Sequence, residues 1–433
     1  MSLSSIGARG RELLKTIGSL FQAGYDWSLL NIPFLSRLYA GADFAFLVHP
    51  RTDNFTSADV YGQNDIYRPY PAFRWLFNFL PKTTAERIVL WYARVVHPIT
   101  LSRITVKTRG PLRKGRRHLH GYLLSIVRTP RQMAEDPSGT RARIKEMFTL
   151  AGRKMVTRVG LGALLPSMTG YGEKLKNGNA QRPRLSTGHG YTAYVIVDYL
   201  RMLVSARNPD ANVVSVAILG AGGSTGIGVL RMLKRRWDGK QKLNLLLLDL
   251  PQKQERLGKL AGEVHLLAPF AAVKTSSDHA LLRDYDYVVV VTNSRQLILK
   301  AGSVRPGTVI IDDSQPRNTS PELVSEGCIV LDVLARVNGL NCGFDFGFKA
   351  EPSVTFTCLA ETILAAAAGH PGDLAVGEVT DVTVEKTVML AKWGEAMELI
   401  GALPLVSFGQ PLQEIEIRTL LTPALNLASG LGD

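Results

Sequence analysis

Hydrophobic and polar positions along the 433 residues follow one rhythm before about residue 208 and another after it. In the later part, Val213–Leu219 is an apolar run of strand length, and Gly220-Ala-Gly-Gly-Ser-Thr-Gly-Ile-Gly228 follows it. A helical run then continues to Arg236, and the apolar stretch 243–248 closes on Asp249. That order predicts a βαβ unit. Residues 286–292, 308–313 and 327–332 repeat the apolar run with a polar end, as buried parallel strands do. Residues 352–368 pass from strand pattern into a strong helix former that opens at Cys358, and 382–400 is helical again. Strands alternating with helices predict a Rossmann-type doubly wound parallel sheet with C-terminal helices, its ligand at the strand carboxyl ends.

The front part mixes periods. Leu13, Leu14, Ile17, Leu20 and Phe21 make an apolar stripe beside Arg9, Arg11 and Lys15. Such a helix suits a membrane interface or a docking face on the protein's own core. Residues 44–48 read as a short strand ending on His49, 52–71 as polar turns, and 73–101 as apolar, aromatic and helical. Two strands in 101–127 flank the basic turn Arg113-Lys-Gly-Arg-Arg117, and Thr129-Pro130 opens a helix. Residues 141–159 are an amphipathic helix, 160–170 a strand entering a glycine-rich loop, and 186–194 the lead-in to a helix ending near Arg207. The chain thus divides into an amphipathic extension (1–40), a basic N-terminal α/β domain (41–208), a dinucleotide-binding domain (209–350) and a C-terminal helical part (351–433). The fold class is α/β in two domains.

The glycines have separate jobs in such a unit. Gly220 permits the tight turn, Gly222 or Gly223 lets backbone amides approach a pyrophosphate, and Gly226 and Gly228 let the helix pack closely. Ser224 and Thr225 open the helix, whose free amides and positive dipole end face the phosphates. A glycine turn without ligand is the competing reading; the strand before, the helix after and the acid at the next strand end weigh against it. Asp249 at that strand end accepts hydrogen bonds from an adenosine ribose, a slight lean to NADH, although Lys253 and Arg256 lie within reach of a 2′-phosphate. Thr292, Asn293 and Asp312, with Asp313, end later strands where the nicotinamide would lie.

Composition is globular, with 45% hydrophobic and 20% charged residues. Cys328, Cys342 and Cys358 have neither metal-ligand nor disulfide-framework spacing, so no metal is expected and a reducing cytoplasm fits. Met1–Arg9 lacks the pattern of a signal peptide, and the apolar stretch 88–101 is broken by Arg94, His97 and Pro98 before it reaches membrane-spanning length. Charge changes the picture more. Residues 1–184 carry 29 Lys and Arg against 11 Asp and Glu, and the remainder 22 against 26. A cation is fused to a nearly neutral nucleotide-binding part. It suits an acidic partner such as a carrier protein or an anionic lipid surface, or it is a solvated face. Nucleic acid is a third acidic partner that such a charge suits, although none is expected, and basic clusters without interleaved aromatics carry little specificity.

Cys358 is the sharpest chemical candidate. At a helix head, the dipole and free amides favour the thiolate and lower its pKa. Thr355 and Thr357 flank it, and Glu361 lies one turn on. A thiolate beside a nicotinamide site suggests that cysteine takes an acyl group from a thioester and hydride then reduces it. A small residue easing a tight helix start is the competing reading. His49, His120 and His189 sit at strand ends or in a glycine-flanked lead-in, as acid–base groups or as plain polar termini. Cys328, mid-strand, and Cys342, in a loop, read as structural.

Together these residues resemble the cyanobacterial long-chain acyl-(acyl-carrier-protein) reductases, which make fatty aldehydes. The likeness runs collinearly from Phe44 to about Leu412. It is carried by 44–49, by 115–121 with the following Pro-Arg-Gln-Met, by Ser186-Thr-Gly-His-Gly-Tyr-Thr-Ala-Tyr-Val-Ile196 and by Ile310-Ile-Asp-Asp-Ser-Gln-Pro-Arg-Asn318. Phe408-Gly-Gln-Pro-Leu412 adds to it, and Phe356-Thr-Cys-Leu-Ala-Glu-Thr-Ile-Leu364 is its most specific segment. The resemblance implies that Cys358 accepts the acyl group, that the carrier is acyl carrier protein or CoA, and that NADPH is the reductant. The oxyanion donor would be a helix-start amide or His189. This chain departs from the family in its first forty or so residues, in a longer glycine turn, in Asp332-Val-Leu-Ala, and in Asp249-Leu-Pro where the family has an arginine for the 2′-phosphate. Two other readings compete: a dehydrogenase of the shikimate or amino-acid type with a structural cysteine, and a non-catalytic nucleotide-binding protein at a membrane.

Overall fold

The computed structural model describes residues 18, 21–32, 34–35, 41–51, 80–81, 83–84, 87–88, 91, 97–110, 115, 117–176, 182–265, 267–344, 346–348 and 350–422. The stripe at Leu13, Leu14, Ile17 and Leu20 lies outside them, as do Arg113, Lys114, Arg116, residues 52–79 and the tail from 423. Its strands begin with β1 Phe44–Val48, β2 Ile99–Lys107, β3 His118–Ser125, β4 Arg158–Leu161 and β5 Arg184–Ser186. Next come β6 Val213–Leu219, β7 Lys242–Leu248, β8 Phe270–Ser276, β9 Tyr287–Val290, β10 Val309–Asp312 and β11 Ile329–Asp332. Three short strands follow: β12 Leu334–Arg336, β13 Leu340–Cys342 and β14 Val354–Phe356. The helices needed here are α1 Pro130–Glu135, α2 Pro137–Arg153, α3 His189–Arg207, α4 Ser224–Arg236, α5 Gln254–Val264, α6 Thr357–Ala367 and α7 Asp381–Ala396. Two compact units result. One comprises Met1–Thr187, Asn338–Gly347 and Thr362–Asp373; the other comprises Gly188–Val337, Phe348–Glu361 and Leu374–Asp433. One boundary between the units falls ahead of α3, between Thr187 and Gly188.

The first unit is built on a mixed sheet of order β13-β2-β3-β1-β4-β5. Its central strand β1 is buried from Phe44 to Leu47 and pairs in parallel with β3 and β4. Along β2, buried Ile104 and Val106 alternate with exposed Arg103 and Lys107, so one face of this antiparallel part meets water. Thr129 and Gln132 form a capping box at α1, and the Asp136 carboxylate accepts from the Gly139 amide at 2.8 Å to start α2. Each such cap contributes about 1 kcal/mol. The helical stretch expected over 141–159 ends at Arg153, because Met155 takes a φ of +56°. Residues 21–31 are helical and dock through Leu29 and Asp26, both fully buried. Asp26 pairs with Lys154 at 2.8 Å and accepts the Thr100 amide at 2.6 Å. Two buried charges demand this degree of satisfaction.

The second unit carries a parallel sheet of order β8-β7-β6-β9-β10-β11, the dinucleotide-binding order with its reversal between β6 and β9. The apolar runs read from the sequence form β6, β7, β9, β10 and β11. Strand β8 is not legible as a run: it is an edge strand in which only Phe270 is buried. One face of the sheet sets Ala217, Leu219, Leu246, Leu248, Val288, Val290, Ile310 and Val330 against Leu282 and Leu323. Burying a leucine or valine contributes about 1.5–3 kcal/mol. Strand β11 starts at Ile329, so Cys328 precedes it, buried. Strands β12 and β14 pair antiparallel, and β14 runs directly into α6. Among the described residues no helix is long and apolar enough to cross a membrane.

Candidate functional site

The glycine turn joins β6 to α4. Gly220 has a φ of +94°, and its amide and that of Ala221 donate to the Leu248 carbonyl at 2.8 and 3.1 Å. A side chain on Gly226 would lie 2.5 Å from the Gly220 oxygen, and one on Gly228 3.3 Å from Ala193 of α3. These two glycines thus serve the turn itself and helix–helix packing, rather than helix–strand packing. Among the described residues no side chain caps α4 at Gly223, so Ser224 and Thr225 begin a helix whose positive end has no side-chain acceptor. That is the chemistry a pyrophosphate needs, and the residues present fit one.

Asp249 directly follows β7 and is buried. Its Oδ2 accepts the Gly222 amide at 2.8 Å and Lys253 Nζ lies 3.2 Å away; Oδ1 accepts the Leu250 amide at 2.8 Å. The Gly222 amide, expected at a pyrophosphate, is engaged by this carboxylate. A Cβ here would be tight, 3.0 Å from Asp249 Oδ2 and 3.1 Å from Lys253 Cδ.

Cys358 is the second residue of α6 and is half-buried. Gly188, with a φ of +82°, packs directly on it: a Cβ there would lie 2.2 Å from Cys358 Cβ and 2.5 Å from its Cα. Gly188 is also the N-cap of α3. Hence the N-termini of α3 and α6 meet at the thiol. Thr192 and Thr357 hydroxyls join the two helices at 2.6 Å. Glu361, fully buried, accepts the Gly188 amide at 2.9 Å and the Tyr191 amide at 2.7 Å. Burial pushes the Cys358 thiol up to about 12; the Asp313 carboxylate and, more weakly, Glu361 add to this. The amides of Leu359 and Cys358 pull the other way, as the helix-start argument expects, but they lose to desolvation. The resting residue is a thiol, which corrects the expectation of a lowered pKa.

His189 follows Gly188. Its Nδ1 lies 3.1 Å from Ser224 Oγ, whose hydroxyl donates to the Gly377 carbonyl at 3.3 Å. The serine oxygen then accepts from Nδ1–H, leaving Nε2 as the ring's acceptor nitrogen. Burial pushes this histidine down to about 4, so the ring is neutral at neutral pH. One histidine thereby links the cysteine's neighbourhood to the first residue of the glycine-turn helix.

Asp312 closes β10 inside a network of protein partners. It is buried and its oxygens accept from the Ser314 amide at 2.8 Å and the Thr319 hydroxyl at 2.6 Å. Arg317 pairs with both Asp312 and Asp332, and Asp332 takes the Gly409 amide at 2.7 Å. Its neighbour Asp313 is the carboxyl that acts on Cys358, and burial followed by Asp312 pushes it well above the usual carboxylate range. Thr292 bonds to Asn318 and accepts the Ser294 amide at 3.1 Å, and Asn293 is exposed beside it.

The remaining candidates make other contacts. His49 Nε2 accepts the Leu164 amide at 3.1 Å in the first unit. His120 is exposed, and its backbone pairs with Asp43. Cys328 contacts the Arg305 carbonyl at 3.4 Å and Cys342 the Ser102 hydroxyl at 3.8 Å, both pushed up by burial. Sequence reasoning passed over Glu361 as a partner. Its signal was a lone charge within the otherwise apolar Cys-Leu-Ala-Glu-Thr-Ile-Leu.

No protein-family model matches the chain. Over 227 residues it is 27% identical to the long-chain acyl-[acyl-carrier-protein] reductase of Synechococcus elongatus, covering 51% of this chain and 62% of that protein. The chain thus spans about three fifths of the length of this curated relative. Among solved structures it is similar to E. coli K-12 YhdH with bound NADPH at 13% identity and a TM-score of 0.23, over 34% of this chain and 43% of that one. It is also similar to the nucleotide-binding domain of glutamyl-tRNA reductase from Thermoplasma volcanium, at 15% identity and a TM-score of 0.23, over 32% and 84%.

Proposed function

We propose that this chain is an NAD(P)H-dependent reductase of fatty acyl thioesters, carried on acyl carrier protein or CoA, that releases the aldehyde. The observation that carries the reading is the seat of Cys358: a half-buried thiol packed on Gly188, in the unit that also bears the glycine turn. The similarity to an acyl-carrier-protein reductase supports the same class. Bound at the turn, NAD(P)H would supply a hydride. The uncapped start of α4 would hold its pyrophosphate and Asp249 its ribose, a slight lean to NADH.

Because Cys358 rests as a thiol, its proton leaves as sulfur attacks the acyl carbon. His189, neutral and next in the chain to the Gly188 that packs on Cys358, is the residue we assign to take it. The bond to the carrier sulfur breaks, and the departing thiolate takes up that proton. Once the carbonyl carbon is reduced, the oxyanion collapses to the aldehyde as the Cys358 carbon–sulfur bond breaks. Helix-start amides beside the thiol, or His189, stabilise the oxyanion. The basic first unit would receive an acidic carrier, with exposed Arg103, Lys107 and Arg117 along β2 and β3. All three cysteines are free thiols, which fits a cytoplasmic enzyme, with the membrane surface as a peripheral site.

Intact-mass spectrometry after incubation with an acyl-CoA, without reductant, tests this. A single acyl adduct on Cys358 is expected in the parent and none in Cys358→Ser, with cofactor titration unchanged. Full reductase activity in Cys358→Ser overturns the mechanism.

A further inference from the structure

We propose that Glu361 is the positioning residue of this site: its carboxylate fills the N-terminus of α3, fixing Gly188 and His189 against Cys358 while screening the thiol from that helix's positive end. The proposal rests on the reading of Cys358 as nucleophile.

A helix begins with four amides that lack intrahelical acceptors. The N-cap of α3 is glycine and has no side chain to offer them. Glu361 takes its place from another helix, with one oxygen on the Gly188 amide at 2.9 Å and the other on the Tyr191 amide at 2.7 Å. Gly190 makes room, since a Cβ there would lie 3.1 Å from Glu361 Oε2 and 2.5 Å from Thr387 Oγ1. A fully buried carboxylate is costly unless charge-assisted hydrogen bonds and a helix dipole stabilise it, and here both do. Glu361 sits one turn beyond Cys358 on α6, so a single side chain ties the helix of the thiol to the helix of His189. The charge matters as well as the tether. Gly188 touches Cys358, so without a carboxylate the positive end of α3 would act on the thiol directly. Glu361 offsets that field and so adds to the desolvation that holds the cysteine as a thiol until an acyl thioester is seated.

The test compares the parent with Glu361→Gln and Glu361→Asp, checking the fold of each by circular dichroism. Iodoacetamide labelling of Cys358 at pH 8 is followed by mass spectrometry, and kcat and KM are measured for acyl-CoA and for NAD(P)H. The Gln variant keeps one acceptor and loses the charge. Its labelling should quicken about tenfold, the effect of about one pKa unit from a neighbouring charge. Its kcat should fall at least about tenfold, as expected when a site loses sub-ångström alignment, with KM for the cofactor unchanged. The Asp variant keeps the charge but reaches one amide, so labelling should stay parental while kcat falls. A folded Gln variant with parental labelling and kcat overturns the proposal. Should Gln fail to fold, Asp decides: parental kcat overturns it, and loss with parental labelling sustains it. A parent that takes no acyl group, with Gln still labelling faster, strikes only the thioester reading.

Discussion

Gly188→Ala is the most direct probe of the geometry at the thiol. The added methyl would sit 2.2 Å from Cys358 Cβ and 2.5 Å from its Cα. Carbon atoms rest about 3.5–4.0 Å apart, so the two helix starts must separate by about 1 Å or more. Backbone in the left-handed region, at a φ of +82°, costs an alanine about 1–2 kcal/mol. Overpacking adds about 1–3 kcal/mol, so a loss of roughly 2–5 kcal/mol in stability is expected. A displacement of about 1 Å at a reacting atom lowers the rate on the order of 10²-fold. Adduct formation from acyl-CoA should slow by that factor in a single-turnover mass measurement. Cofactor affinity should hold, because the substitution leaves Gly220 and the start of α4 untouched. Gly258→Ala on α5, where nothing lies within 4 Å of the new Cβ, is the control and should leave both unchanged. Parental melting and an adduct rate within a few-fold of the parent would refute the packing of Gly188 on Cys358.

Other expectations follow from the same geometry. His189 titrates near 4 in the folded protein against about 6.5 unfolded. Its depressed value contributes stability above pH 6.5 that is lost as pH falls toward 4, on the order of 3 kcal/mol. Urea midpoints should therefore drop across that window in the parent and less in His189→Gln; identical acid limbs would sink the assignment. Neutralising Lys107 and Arg117 should raise KM for a carrier-bound substrate, and added salt should do the same to the parent, since exposed charges are screened beyond about 10 Å at 0.1 M. A salt-independent KM would mark a merely solvated face. Asp249→Ser frees Lys253, now 3.2 Å from the carboxylate, and should move the kcat/KM ratio toward NADPH. A parent that already prefers NADPH about tenfold or more would show that Asp249 does not face the ribose, whose hydroxyls such a carboxylate binds.

The sequence by itself determined the second unit's core and its turn. Runs such as Val216–Leu219 and Val309–Asp312 are buried on both faces of a parallel sheet, so their apolar residues are continuous and legible. Gly220 declared itself because only glycine takes its φ without strain. Local pattern also put Cys358 at the head of a helix. What pattern could not supply was which groups face one another. The edge strand Phe270–Ser276 is half-exposed and has no apolar run to read. Asp312 and Asp313 are adjacent and chemically alike; only the loop drawn in by Arg317 and Thr319 sends one into a buried network and leaves the other beside the thiol. Gly188 and Glu361 lie 173 positions apart in the chain, and their hydrogen bond exists only because α3 and α6 begin at one point. The resting charge of Cys358 reversed for the same reason. A helix start favours a thiolate, but the desolvation that overrides it comes from the packing of distant segments, which no local stretch of sequence encodes.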